Sequence, residues 1–219
     1  MEIKKYSGNE KLTLNGKEYP FSMINFWQMA LSDLLLNMNR GTFAEFIVRC
    51  ALETGGFPAL SESRSGIESY DITGPECFTS RGESKCRIEV KSAASIQKTT
   101  PDEKEPLSLP PNRIVFSIKK AINFNTADKI PRRNNDMYVF CHYKAERKCY
   151  NILDLALWDF YVYPTYKIDN DNIDKKISNQ KTISLARLQK LGVKPCNFTG
   201  LSSEIYKVAS DITKYYKSL

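Results

Sequence analysis

The chain has 219 residues, 42% hydrophobic, 11% aromatic and 26% charged, which is too apolar for a disordered chain and too charged for a membrane-embedded one. Its length and apolar content suffice for the core of one large domain, with a lead-in over 1–24 and a C-terminal helical part over 166–219. The net charge of +7 is uneven: residues 1–110 carry 13 Lys/Arg against 15 Asp/Glu, and residues 111–219 carry 19 against 10, a basic half that suits a polyanion or a plain solvated surface.

The N-terminal MEIKKYSGNEK lacks the apolar stretch of a signal peptide, so a cytoplasmic location with reduced cysteines is expected. Leu14-Asn15-Gly16-Lys17 reads as a hairpin turn. Apolar residues recur at helical spacing in NFWQMALSDLLLNM (25–38), and Asn39-Arg40-Gly41 reads as the end of that helix. Its ALSDLLL run is too short and too interrupted to cross a bilayer. Thr42 then caps a second helix, FAEFIVRCALE, which ends at Gly55-Gly56.

Strands are expected at 68–72 and 86–91, with GPECFTSRGES between them as a turn or loop. TTPDEKEPLSLPPN (99–112) is a proline-rich loop. RIVFSIK (113–119), MYVFCHYK (137–144) and WDFYVYPT (158–165) are further strands, the last with core on one face and an amphipathic rim on the other. ISLARLQKLG, capped by Ser184, and SSEIYKVASDITKYYK are helices. This order predicts an α/β or α+β fold with a central mixed sheet flanked by helices.

Four residues carry the chemistry. Glu45 stands among apolar neighbours in FAEFIV, or else lies on a polar stripe with Thr42 and Arg49. Asp71 falls in that short strand, between Tyr70 and Ile72 and before Gly74-Pro75, as either a turn former or a ligand. In IEVKSAASIQ (88–97), strand alternation puts Glu89 and Lys91 on one face, as a wet surface or as a site. Two carboxylates and a lysine at one end of a sheet form a hard-cation, phosphodiester-cleaving set.

The ordered set resembles the PD-(D/E)XK nuclease superfamily, which includes restriction endonucleases, and more specifically a bacterial branch of it. The resemblance runs through WQMALSDLLLNMNRGTFAEFIV, YDI, IEVKSAASIQ, DMYVFCHY and WDFYVYPT. It implies a restriction endonuclease-like core and Mg²⁺-dependent DNA cleavage of the restriction or defence type, with Mn²⁺ as a substitute. Glu45, Asp71 and Glu89 would hold the metal, Lys91 would assist the attacking water, and Gln97 would contact substrate or brace the site. It also leaves open RNA as substrate, a repair or recombination nuclease, a homodimer, and a binding module without catalysis. Tyr70 stands where the family name has proline, and Glu68 and Glu83 compete for the acidic positions.

Arg40 is a candidate phosphate contact or carboxylate brace. Lys119, Lys120, Lys129, Arg132 and Arg133 form a basic stretch suited to phosphates or to solvent. His142, the single histidine, reads as structural. Cys77, Cys86, Cys141 and Cys149 lack the spacing of a zinc knuckle. No phosphate-binding glycine loop and no serine nucleophile elbow occurs.

Overall fold

The computed structural model describes residues 5–60, 69–97, 107–123, 128–146, 151–170 and 177–219. Strands β1 (Lys11–Leu14) and β2 (Lys17–Ser22) make an antiparallel hairpin. Asn15 and Gly16 turn it with φ of 50° and 82°, the paired positive values of a two-residue hairpin loop. Helix α1 (Met23–Leu31) follows and buries none of its residues.

The helical break falls earlier than the sequence predicts. Helix α2 (Asn37–Thr54) runs straight through Gly41, and the chain breaks at Ser32–Leu36 instead. There the Asp33 carboxylate accepts from Leu35 N at 3.3 Å, an Asx turn that competes with the helix. Asn39 then donates to the carbonyls of Ala30 and Asp33, holding the break in place. Glycine inside a helix costs about 1 kcal/mol, which the buried face of α2 outweighs.

Strands β3 (Ile72–Thr79) and β4 (Gly82–Ala94) form the next hairpin. The stretch GPECFTSRGES, expected as loop, is mostly strand. Gly74-Pro75 sits in a register irregularity between Thr73 and Glu76, where the missing proline N–H breaks no ladder. A Cβ on Gly74 would meet the Ile88 side chain at 2.7 Å, so the two strands need glycine there. The expected strand at 68–72 is absent: it starts only at Ile72, and Glu68 lies outside the described residues.

Short strands β5 (Ile96–Gln97) and β6 (Leu107–Ser108) pair with each other. The strand expected over 113–119 narrows to β7 (Val115–Ser117), and most of the 99–112 loop lies outside the described residues. Strands β8 (Met137–Tyr143) and β9 (Trp158–Pro164) complete the central sheet, in the order β3-β4-β8-β9. The β4–β8 pair is parallel and the other two are antiparallel, so the sheet is mixed as expected. Helix α3 (Thr165–Asp169), strand β10 (Thr182–Ser184) and helices α4 (Leu185–Lys190) and α5 (Phe198–Lys217) follow. Ser184 caps α4 as the sequence predicts, accepting from Arg187 N at 3.1 Å.

The sheet is buried on both faces. On one, Ile88, Val90, Val139 and Phe160 pack with Ile47 and Val48 of α2 and with Leu201 and Ile205 of α5. On the other, Tyr138, Phe140 and Tyr161 pack under Phe116, Ile183 and Leu188. Strand β9 therefore has no amphipathic rim, because Tyr161 and Tyr163 are covered too. No helix among the described residues is long and apolar enough to cross a membrane.

The reduced state expected for all cysteines is also corrected. Cys77 and Cys86 are joined across β3–β4, with Cα atoms 5.7 Å apart, inside the ordinary disulfide range. Peptide mapping without reductant is expected to recover one cross-linked peptide pair holding these two residues. Reduction is expected to lower stability in urea by about 2–3 kcal/mol, the loop-closure effect for so short a loop.

Candidate active site

The hairpin brings the predicted acids together. The last paired residues of β3 and β4 are Ile72 and Ile88, so Asp71 lies across from Glu89 where the ladder ends. Asp71 N donates to Ile88 O at 3.0 Å. Its carboxylate Oδ2 then accepts from Val90 N at 2.8 Å, taking the place of the missing strand. The long insertion between these residues does not disturb their register, because it is itself the hairpin.

Arg49 of α2 fixes the other side of Asp71. Its buried guanidinium donates to Asp71 O at 2.7 Å and to Ala59 O at 2.9 Å. The helical wheel groups Arg49 with Glu45 but gives no sign of this role, since the acceptors are backbone carbonyls far along the chain.

Glu89 and Lys91 share a strand face, as alternation predicts, and form an ion pair. Both side chains are partly buried, at 20% and 29% exposure. Desolvation raises the Glu89 pKa above the ordinary carboxylate value, and the nearby charge of Asp71 adds to it. Lys91 opposes that shift, while Glu45 adds a smaller push upward. Glu45 is buried on α2, and among the described residues it and Asp71 push the Glu89 pKa up while Lys91 pulls it down. A hard divalent cation would relieve that repulsion between carboxylates.

The three acids do not converge as a closed triad. Among the described residues, the only three His, Cys, Asp or Glu donors within 4.8 Å of one another are Cys77, Cys86 and Asp136. There the sulfurs are spent on each other, and Asp136 accepts both Arg81 nitrogens and Arg87 N. Glu45, Asp71 and Glu89 are spaced more widely than that, yet the charges of Asp71 and Glu45 still act on Glu89.

Other candidates take different places. Arg40 is fully buried and donates to Leu35 O, Asn37 Oδ1 and Ser92 Oγ, which pins α2 to β4. Burial pulls its pKa down to about 10, and it reaches no solvent-borne phosphate. Arg133 is likewise buried, its guanidinium spent on the carbonyls of Ile118, Ser178 and Gln180 and on Asp169. Arg132 is exposed and paired with Asp128. Lys119 and Lys120 are exposed. The backbone of Gln97 pairs with Leu107 in β5, and its side chain lies outside the described residues, as does Cys149. Glu83 sits at the far end of the hairpin, opposite Phe78, away from the acidic cluster.

His142 is buried in β8, with Nε2 3.0 Å from Ser95 Oγ and Nδ1 without a partner. Burial lowers its pKa, and Asp159 opposes the shift. No protein-family model and no curated protein matches the chain.

Arg49→Ala would take the guanidinium donor from one buried and one half-buried carbonyl and is expected to cost about 3 kcal/mol in chemical denaturation. The depressed His142 pKa gives a pH prediction as well. Below its ordinary value of 6.5 the unfolded chain takes up a proton that the folded chain refuses. Stability therefore falls as pH drops from 6.5 toward the folded value. In His142→Gln the fall measured by denaturation between about pH 7 and pH 5 is expected to be shallower.

Proposed function

We propose that the chain is a Mg²⁺-dependent phosphodiesterase acting on DNA, a restriction or defence-type endonuclease with a restriction endonuclease-like core. The observation that carries this reading is the end of the β3–β4 hairpin. There Asp71 and Glu89 lie side by side, Lys91 follows on the same strand face, and Glu45 adds its charge from α2. The donor set suits Mg²⁺, which takes one or two carboxylates and keeps several waters.

Asp71 and Glu89 would hold the ion, with Glu45 supporting, and Mn²⁺ could replace it. The bound ion would neutralise phosphate charge and acidify a water. The protein's own groups do the rest. The Val90 amide fixes the direction of the Asp71 carboxylate, and Arg49 fixes its backbone. Lys91 would turn from Glu89 to the attacking water or the phosphate oxygen, so the negative charge that builds there meets a nearby ammonium.

A second reading rests on the same ion pair. Lys91 satisfies Glu89 from within the protein, which is what a non-catalytic nucleic-acid-binding module would do.

Plasmid and linear DNA incubated with Mg²⁺ or Mn²⁺ decide between the two. The first reading expects cleavage that EDTA abolishes and that Lys91→Ala slows by about 10² or more. Salt-sensitive binding with no cleavage of any DNA or RNA would instead support the binding module.

A further inference from the structure

Two chain segments distant in sequence converge on a second feature. Strands β7 and β10 pair antiparallel, and Ile118 N donates to Lys181 O at 2.9 Å just past their ends. The pairing carries Lys119 and Lys120 to the same mouth as Lys181. The three lysines line a cavity of about 280 Å³ together with Ser178, Gln180 and Arg133. The Arg133 side chain is fully buried and ties both segments together through the carbonyls of Ile118, Ser178 and Gln180. Among the described residues its acidic partner is Asp169, and the three lysines at the mouth are exposed.

Ser178 is the second observation. It is 5% exposed, and its Oγ is buried with no hydrogen-bond partner among the described residues. A buried hydroxyl left unpaired costs about 1–3 kcal/mol, so a turn of the Ser178 side chain toward a ligand acceptor in the cavity would offset that cost.

We propose that this cavity takes the terminal phosphate monoester of a nucleic-acid strand. The chemistry selects a monoester over an internal diester. A monoester carries about −1.5 to −2 charges at pH 7 and three free oxygens, which matches three lysines at one mouth. A diester offers one charge and two free oxygens, and its strand must leave on both sides. The volume falls just below the range of about 300–1,000 Å³ for drug-sized ligands, so it accepts a phosphate with its sugar and not a strand.

The layer that carries the cavity covers the sheet face of Glu89: Ile118 and Ile183 pack with Tyr138, which pairs with Glu89 across β4–β8. With a strand end held at this layer, the substrate class becomes phosphate-ended strands. This substrate role rests on the nuclease reading, whereas phosphate binding by the cavity does not.

The test separates the two. Binding is measured in EDTA by fluorescence anisotropy, using short duplexes that end in a 5′-phosphate, a 3′-phosphate or only hydroxyls. One phosphate-ended duplex is expected to bind about tenfold more tightly than the hydroxyl-ended one. The preference should vanish in the triple variant Lys119→Gln, Lys120→Gln, Lys181→Gln and persist in Lys91→Ala. These lysines are exposed, so an unchanged melting temperature will show that the triple variant folds. Equal binding of all three duplexes overturns the proposal, even if inorganic phosphate binds by itself. So does a preference that survives loss of the three lysines. End preference without any cleavage in Mg²⁺ would keep the phosphate cavity and remove the nuclease.

Discussion

The guanidinium of Arg49 reaches from the middle of α2 to the carbonyl of Asp71, just before β3 begins. Everything at the acidic cluster depends on that reach. Asp71 is not held by the sheet ladder, which ends at Ile72 and Ile88. Without Arg49 its backbone would have one ladder bond, and its carboxylate would lose a defined direction toward Val90 N. Because Arg49 is buried, its hydrogen bonds form in a low-dielectric setting where an unmade bond is costly. The helix that carries Glu45 is thereby locked to the strand end that carries Asp71.

A second buried arginine does the same work on α2's first turn. Arg40 joins Leu35 and Asn37 to Ser92, one residue beyond Lys91. Two cations on one helix thus tie it to Asp71, across from Glu89, and to Ser92, just past Lys91. Arg133 is the counterpart on the opposite face, where it ties the β7 and β10 ends to Asp169. Arg49 and Arg133 bracket several backbone carbonyls, and Arg40 spreads its donors over one carbonyl and two side-chain oxygens, tasks that a fork of N–H groups suits better than an ammonium. The remaining basic residues at the surface are chiefly lysines, and those at 119, 120 and 181 share one mouth.

Much of the frame was legible in the chain itself. The long β-branched and aromatic runs became β8 and β9, and Ser184 became a helix cap. The alternation in IEVKSA predicted which side chains share a face, because strand geometry leaves no other choice. The errors have one physical cause. Gly41, Gly74 and Pro75 carry local signals to stop an element, yet each lies within one. Local propensity is worth about 1 kcal/mol per residue, and burial of a whole helix or strand face exceeds it. Arg40 and Arg133 were misjudged for a related reason. Their distant partners, the Ser92 hydroxyl for Arg40 and the carbonyls of Ser178 and Gln180 for Arg133, come from other segments, and a sequence does not mark such pairings.

By itself, then, the sequence determined the order of elements, the shared face of Glu89 and Lys91, and an acid upstream in the right order. Those follow from local geometry and chain order alone. Tertiary structure decided that Asp71 stands opposite Glu89, that Glu45 is close enough to raise its pKa, and that the three acids stay loosely spaced. It also decided which cations are spent inside and which face water. Register, burial and charge coupling are properties of pairs of segments, and folding alone brings those pairs together.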